Sequence, residues 1–236
     1  MRRPTEWPNM GEPIPPTVSS NMKPAFTKVN RYIFDPKAMS WSLPSGTTCP
    51  GAEQCLAKAD RLTGKITDGP KQKFKCYSAQ GERYPSVRKR YWANFDAVRG
   101  KDSNEVCNIL NDCWPVKAHR NRTHTAGDFF SEQYFLGWME FAASKPDVQF
   151  WAFTKSLPFW VGNMGSVPSN MELQASYGGR WDSMIEEHCL KFARVVWSKE
   201  EADDLGLLID TDDRLAAYPG PSFALLENFT KPKTTI

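Results

Sequence analysis

The segment from Arg122 to Thr154 constrains the fold more than any other, because it spells out a complete strand–helix–strand unit. Arg122-Thr-His-Thr-Ala126 reads as a strand, and Gly127-Asp128-Phe129-Phe130 makes the turn that follows. Ser131 is placed to cap a helix, and Glu132 then sits at the positive end of its dipole. Tyr134, Phe135, Trp138, Met139 and Ala142 recur at helical spacing and form a core-facing stripe until Lys145-Pro146 stops the helix. Val148 to Thr154 is then a nearly unbroken apolar run, the pattern of a parallel strand buried on both faces. A unit of about 30 residues with this order forms a right-handed crossover between parallel strands.

The rhythm continues downstream. Met171–Ser176 reads as a strand, Trp181–Leu190 as a helix, Phe192–Ser198 as a strand and Glu200–Leu207 as a short helix. Either Leu215–Tyr218 or Phe223–Leu226 supplies the last strand. Upstream, Val29–Phe34 and the alternating Met39–Leu43 read as strands. Pro85–Arg99 reads as a helix with an apolar stripe of Val87, Tyr91, Trp92, Phe95 and Val98, and Ser103 is placed to cap another helix reaching Asp112. About six strands alternating with helices predict an α/β protein with a parallel sheet and helices outside, and six is fewer than a closed eight-stranded barrel needs. Residues 1–24 read as an extended, proline-rich arm, residues 25–228 as one domain and residues 229–236 as a loose polar tail.

The stretch from Cys49 to Tyr77 carries the chemistry. Cys49, Cys55 and Cys76 lie just past the Met39–Leu43 strand, where α/β proteins place their sites. Thiolates are soft ligands suited to zinc, copper(I) or iron–sulfur clusters. The N-terminal MRRPTEWPNMGEPIPP has no apolar signal-peptide core, and no apolar run is long enough to span a membrane. The expected setting is therefore cytoplasmic, where clustered cysteines signify metal or catalysis more often than cross-links. Cys107 and Cys113 read as structural, and Cys189 shares an apolar helix face with Ile185. His124 reads as a hydrogen-bonded core histidine, with a role on substrate from the barrel interior as its alternative. A net charge of only +3 does not mark a wholesale nucleic-acid binder. The local run Arg83, Arg88, Lys89, Arg90, Arg99 and Lys101 reads as a solvated face, with a phosphate-facing patch as its alternative.

The order of these features resembles the radical S-adenosylmethionine superfamily. The resemblance rests on the three-cysteine loop ending in Cys76-Tyr77, on A-G-D-F at Ala126–Phe129, on F-T-K-S at Phe153–Ser156 and on Q-A-S-Y at Gln174–Tyr177. The G-D-F-F and F-T-K-S pair further resembles an uncharacterised, mostly phage-encoded branch. Five residues separate Cys49 from Cys55 and twenty separate Cys55 from Cys76, wider than that superfamily's usual C-x3-C-x2-C.

The resemblance implies a partial (β/α)6 TIM-like barrel. It implies a [4Fe-4S] cluster on Cys49, Cys55 and Cys76, with one iron left open for the amino and carboxylate groups of S-adenosyl-L-methionine. Tyr77 is then expected to pack near the cluster and the adenine, and Gly127 and Asp128 to receive the ammonium group. Ser176 is expected at the ribose, with Gln174 as its same-face neighbour. The implied activity is reductive cleavage of S-adenosylmethionine and hydrogen abstraction from an unknown substrate, with an external electron donor. The resemblance is compatible with a nucleobase, nucleotide or peptide target, and the basic run from Arg83 to Lys101 is what points to a nucleotide or DNA substrate, in the host cytoplasm if the chain is phage-encoded. The contrasting expectation is a non-catalytic zinc-binding or nucleic-acid-binding module on the same scaffold, with a closed four-ligand site.

Overall fold

The computed structural model describes residues 22–29 and 33–227. The expected C-terminal tail and most of the expected N-terminal arm lie outside the described residues, as does the middle of the expected Val29–Phe34 strand. Ten strands and eight α-helices follow one another among the described residues. They begin with β1 (Thr27–Lys28), β2 (Met39–Ser40), β3 (Ala57–Ala59), β4 (Ile66–Asp68), α1 (Tyr77–Gly81), α2 (Pro85–Val98), α3 (Ser103–Cys113) and β5 (Arg120–Thr123). Next come α4 (Glu132–Ala143), β6 (Gln149–Thr154), α5 (Leu157–Gly162), β7 (Met171–Ser176), α6 (Ser183–Glu187) and β8 (Phe192–Val196). The chain closes with α7 (Lys199–Asp204), β9 (Leu208–Ile209), α8 (Arg214–Ala217) and β10 (Phe223–Leu226).

Eight strands form one sheet in the order β1-β2-β5-β6-β7-β8-β10-β9, and β3 and β4 form a separate hairpin. All neighbours in the large sheet are parallel except β1, which pairs antiparallel with β2. From β2 to β8 the spatial order follows the chain, so each crossover steps the same way. The edge strands β1 and β9 do not pair with one another, and the sheet is open. Among the described residues no helix is long and apolar enough to cross a membrane.

Strand β6 shows why its sequence is so apolar. Phe150 and Ala152 face the main core, with Trp138 and Phe141 of α4 and Trp92 and Phe95 of α2. Trp151 faces the opposite side and meets Ala216 and Ala217 of α8, Phe223 of β10 and the segment carrying Val29, Ile33 and Ala38. Both faces of the sheet are therefore covered, and alternate side chains enter different cores. The stripe on α4 is core throughout: Tyr134, Phe135, Trp138, Met139 and Ala142 are all buried. Ser131 caps α4 by accepting the Tyr134 amide at 3.2 Å.

Four expectations change on contact with the structure. Asp102, not Ser103, caps α3: its Oδ1 accepts the Glu105 amide at 2.8 Å, and Glu105 Oε2 accepts the Asp102 amide at 3.1 Å. That reciprocal box needs a glutamate three residues past the cap, which only Asp102 has. The expected helix at Trp181–Leu190 shrinks to α6, because the Asp182 carboxylate folds back to accept the amides of Gly178 and Gly179, both at 2.9 Å. Leu215–Tyr218 is not the last strand. The Asp210 carboxylate accepts the Ala216 amide at 3.2 Å as the chain enters α8, and Phe223–Leu226 completes the sheet. Cys189 is exposed rather than packed beside Ile185, in a left-handed turn with φ of 49° that lifts it off the helix face.

Helices α3 and α4 meet at Gly137, where a Cβ would lie 2.6 Å from Val106 Cβ and 2.8 Å from the Ser103 carbonyl oxygen. Gly137→Ala should gain about 1 kcal/mol in helix propensity. The overpacking should outweigh it and leave a net destabilisation of about 1–3 kcal/mol. Urea denaturation checks the sign, and a stabilised variant would mean that the two helices do not touch there.

Candidate metal centre

Strand β2 delivers the first cysteine through a tight turn. The Thr48 hydroxyl and amide both donate to the Pro44 carbonyl, at 2.8 and 3.1 Å, and the Cys49 amide donates to the Gly46 carbonyl at 3.4 Å. The Gly46 amide in turn points at Cys49 Sγ, 3.3 Å away. Residues 49–55 then lie across the carboxyl ends of β6 and β7. Gly51 rests on Lys155, whose carbonyl oxygen would be 2.0 Å from any Cβ at that position. The Arg180 amide donates to the Gly51 carbonyl at 2.9 Å and the Gln54 amide to the Gly178 carbonyl at 3.0 Å.

The long excursion between Cys55 and Cys76 closes on itself. Its first half enters the β3–β4 hairpin, with Ala57 opposite Asp68 and Ala59 opposite Ile66. Its end returns to its start: the amides of Lys73 and Phe74 donate to the Gln54 carbonyl at 2.8 and 3.3 Å. Cys76 then stands at the N-cap position of α1, beside the segment that carries Cys55. Burial pushes the Cys49 thiol well above its ordinary pKa, and Asp128, Cys76 and Cys55 push it further in the same direction. Burial also raises Cys76, the amides of Ala79 and Ser78 oppose the rise, and Cys55 and Glu82 add to it. Among the described residues, no three ligating side chains already converge on the position of a single ion.

The turn after β5 faces this loop. Gly127 has φ of 82°, and a Cβ there would lie 2.6 Å from both Leu43 Cβ and Thr48 Oγ1. A glycine is thus required both for the backbone and for the close approach to the cysteine-bearing turn. Asp128 follows, buried. Its Oδ1 accepts the Thr154 hydroxyl at 2.6 Å and the Phe129 amide at 2.7 Å, and its Oδ2 accepts the Lys155 amide at 2.8 Å. Burial lifts its pKa to about 6 against those hydrogen bonds. Oδ2 keeps a lone pair for one more donor.

The remaining candidate residues fall around the same edge or beneath it. Tyr77 is 55% exposed and donates its hydroxyl to the Thr125 carbonyl at 3.0 Å, which leaves the ring open at the rim. Ser176, at the end of β7, accepts a 2.5 Å hydrogen bond from Lys155 Nζ. Gln174 lies two residues lower and is fully buried: its amide nitrogen donates to the Ala216 carbonyl at 2.9 Å, and its oxygen has no hydrogen-bond partner. His124 is a core histidine, bonded through Nε2 to the Tyr134 hydroxyl at 2.9 Å and held neutral by burial that drops its pKa to about 3.

Two residues that sequence reading did not single out organise the centre. Glu82 is fully buried, and its Oε1 accepts the Ser45 amide at 2.7 Å. Arg88, expected on a solvated basic face, is buried instead. Its guanidinium donates to the carbonyls of Arg61 at 3.0 Å, Leu62 at 3.0 Å, Glu82 at 2.6 Å and Arg83 at 3.3 Å. The rest of the basic run is dispersed: Arg99 pairs with Asp96, Lys101 with Glu105, and Arg90 donates to the Lys23 carbonyl. A buried arginine is hard to foresee from a run of charges, because only the fold shows which member turns inward.

The sequence profile of the Gene product 88 family matches residues 17–234, almost the whole chain. The chain belongs to the Gene product 88 family. It is similar to the Gene 88 protein of Mycobacterium phage L5, with 32% identity over 148 residues that cover 54% of this chain and 55% of the relative. The Gene 88 protein of Mycobacterium phage D29 is 30% identical over 148 residues, with the same coverage of 54% and 55%. The chain thus spans about half the length of the curated relatives it matches. No solved structure matches it. The phage kinship expected from the motif pair is met at the level of the family.

Glu82 gives a pH test of this arrangement. Burial raises its pKa from the ordinary 4.5 to about 7, against hydrogen bonds from Ser45 and the pull of Arg88. Between those values the folded state holds a proton that the unfolded chain has lost, so stability falls as pH rises from about 4.5 to 7. A rise of about 2.5 units corresponds to about 3 kcal/mol. Surface carboxylates such as Asp35 tilt the opposite way, so the difference between wild type and Glu82→Gln is the quantity to follow. Urea unfolding of metal-free protein should show the wild-type advantage shrinking by about 3 kcal/mol across that window. A growing advantage would mean that the carboxylate has a cationic partner.

Proposed function

We propose that this chain is a radical S-adenosylmethionine-type enzyme built on a partial (β/α)6 TIM-like barrel. In this reading Cys49, Cys55 and Cys76 hold a [4Fe-4S] cluster, and S-adenosyl-L-methionine occupies the rim between Tyr77, Asp128 and Ser176. One observation carries the proposal: the hydrogen bonds of Lys73 and Phe74 to the Gln54 carbonyl bring the segment of Cys76 back to that of Cys55, while the Cys49 turn packs on the Gly127-Asp128 turn at the carboxyl edge of the sheet.

Three thiolates are soft ligands that suit an iron–sulfur cluster as well as zinc, and three of them leave one coordination place for a further ligand.

A cluster with one iron open to S-adenosylmethionine supplies, when bound, a one-electron reduction of the sulfonium that leads to hydrogen abstraction from a substrate. The chain's own residues orient the partners of that chemistry. The remaining lone pair of Asp128 Oδ2 suits an ammonium group, by a charge-assisted hydrogen bond. The exposed Tyr77 ring offers an apolar face for an adenine, and Ser176 with Lys155 offers hydrogen bonds to ribose or carboxylate oxygens. Gln174 supports this edge from below through Ala216. The sequential order from β2 to β8 supports the barrel-like reading, because successive parallel strands stepping the same way bring their carboxyl ends to one edge of the sheet. A nucleotide or DNA substrate and an external electron donor complete the proposal.

Anaerobic reconstitution with iron and sulfide tests it. The expected product is a brown protein with about four irons per chain that cleaves S-adenosylmethionine when reduced, and Cys49→Ala, Cys55→Ala and Cys76→Ala should each abolish both properties. A colourless protein that takes up one zinc ion and no cluster under the same conditions would refute the reading.

A further inference from the structure

We infer that Glu82 is a positioning residue for the three-thiol centre: its carboxylate staples the turn that carries Cys49 to the helix that carries Cys76. The inference rests on the metal-centre reading above and adds how a chain with such widely spaced cysteines holds them in register.

Cys49 and Cys76 arrive on separate segments, one in the turn that follows β2 and one at the start of α1. Glu82 is the C-cap of α1, with its backbone amide donating to the Ala79 and Gln80 carbonyls. Its side chain leaves that helix to accept the Ser45 amide at 2.7 Å, in the turn that the Thr48–Pro44 and Cys49–Gly46 hydrogen bonds complete. A carboxylate with no exposed surface is costly unless something requires it there. The hydrogen bond to Ser45 engages one oxygen; Oε2 has no hydrogen-bond partner in the protein. Arg88 adds the second tie. It engages the Glu82 backbone carbonyl rather than the carboxylate, and it also holds Arg61 and Leu62 from the Cys55–Cys76 excursion. Gly64 admits that guanidinium, since a Cβ there would lie 2.3 Å from Arg88 Nη1. The two side chains thus link the β2 turn, the hairpin and α1, the three segments that bracket the cysteines.

Two conservative variants separate geometry from charge. Glu82→Gln keeps the reach and the acceptor but loses the charge; Glu82→Asp keeps the charge but falls a methylene short of Ser45. Amide hydrogen exchange on the protein without any cluster reads the staple directly, and iron loss from the reconstituted protein to a chelator reads its consequence. Glu82→Asp should lose protection over residues 45–49 and release iron about 10–100-fold faster, as removal of a supporting partner does. Glu82→Gln should behave as wild type in both. If Glu82→Asp loses protection but keeps its iron, or if Glu82→Gln is the more damaged variant, the positioning role is wrong. If wild type takes up no iron at all, the metal-centre reading fails and this role falls with it. That outcome is distinct from a wild type that loads normally beside variants that do the same.

Discussion

The return of the chain to the Gln54 carbonyl is the contact on which the candidate site depends. Without the hydrogen bonds from Lys73 and Phe74, Cys55 and Cys76 would be the ends of a twenty-residue polar loop. Loop-closure entropy grows only logarithmically, so closing twenty residues rather than two costs about 2 kcal/mol more. A hairpin register, the Gly69–Leu56 hydrogen bond at 2.8 Å and the four carbonyls held by Arg88 are ample to offset a term of that size. The wide cysteine spacing is therefore no obstacle to a compact three-thiol centre. It transfers the task of holding the sulfurs from a short loop to a small folded insert.

The insert has something rigid to rest on. Strand β6 is buried on both faces, by α4 and its neighbours on one side and by α8 with residues 33–38 on the other, and β5 and β7 flank it in the sheet. Their carboxyl ends are consequently fixed, and the loop from Cys49 to Cys55 is laid across two of them through Gly51, Gln54 and the Gly178-Gly179 corner. Asp128 ties two ends together by accepting both the Thr154 hydroxyl and the Lys155 amide. A side chain used in this way cannot be moved without disturbing β6, so the turn that faces the thiols inherits the order of the core.

The legible and the illegible parts of this molecule differ in where their information lies. The helix and second strand of the βαβ unit were readable because periodicity, a cap and a stop signal agree, and the strands at Gln149–Thr154 and Met171–Ser176 fall where the apolar runs place them; the first strand, expected at Arg122–Ala126, runs Arg120–Thr123 because His124 turns left-handed with φ of 62°. The last strand was ambiguous because Leu215–Tyr218 is as apolar as Phe223–Leu226; only the Asp210 carboxylate, which caps the former, decides between them. The β3–β4 hairpin carries no alternation to read, since its strands are three residues long and one of them is nearly all polar. For the site, the cysteines and the Gly127-Asp128 turn were visible as residue types at the ends of strands. Glu82 and Arg88 were not, because a buried charge is defined by partners distant in sequence, and a lone glutamate between a short helix and Tyr84-Pro85 looks like surface.

The electrostatics of the centre explain why such buried acids persist. Two thiols and two carboxylates are gathered with their proton affinities raised, while the arginine among them bonds to carbonyl oxygens rather than to either carboxylate. Left alone, the two thiols keep their protons, while Asp128 and Glu82 titrate at about 6 and about 7. A multivalent cation reverses that balance, because its charge favours every ionised ligand at once and the burial that opposed ionisation then strengthens the attraction. A multivalent group bound by these cysteines, as proposed, would release the protons that burial keeps on the thiols.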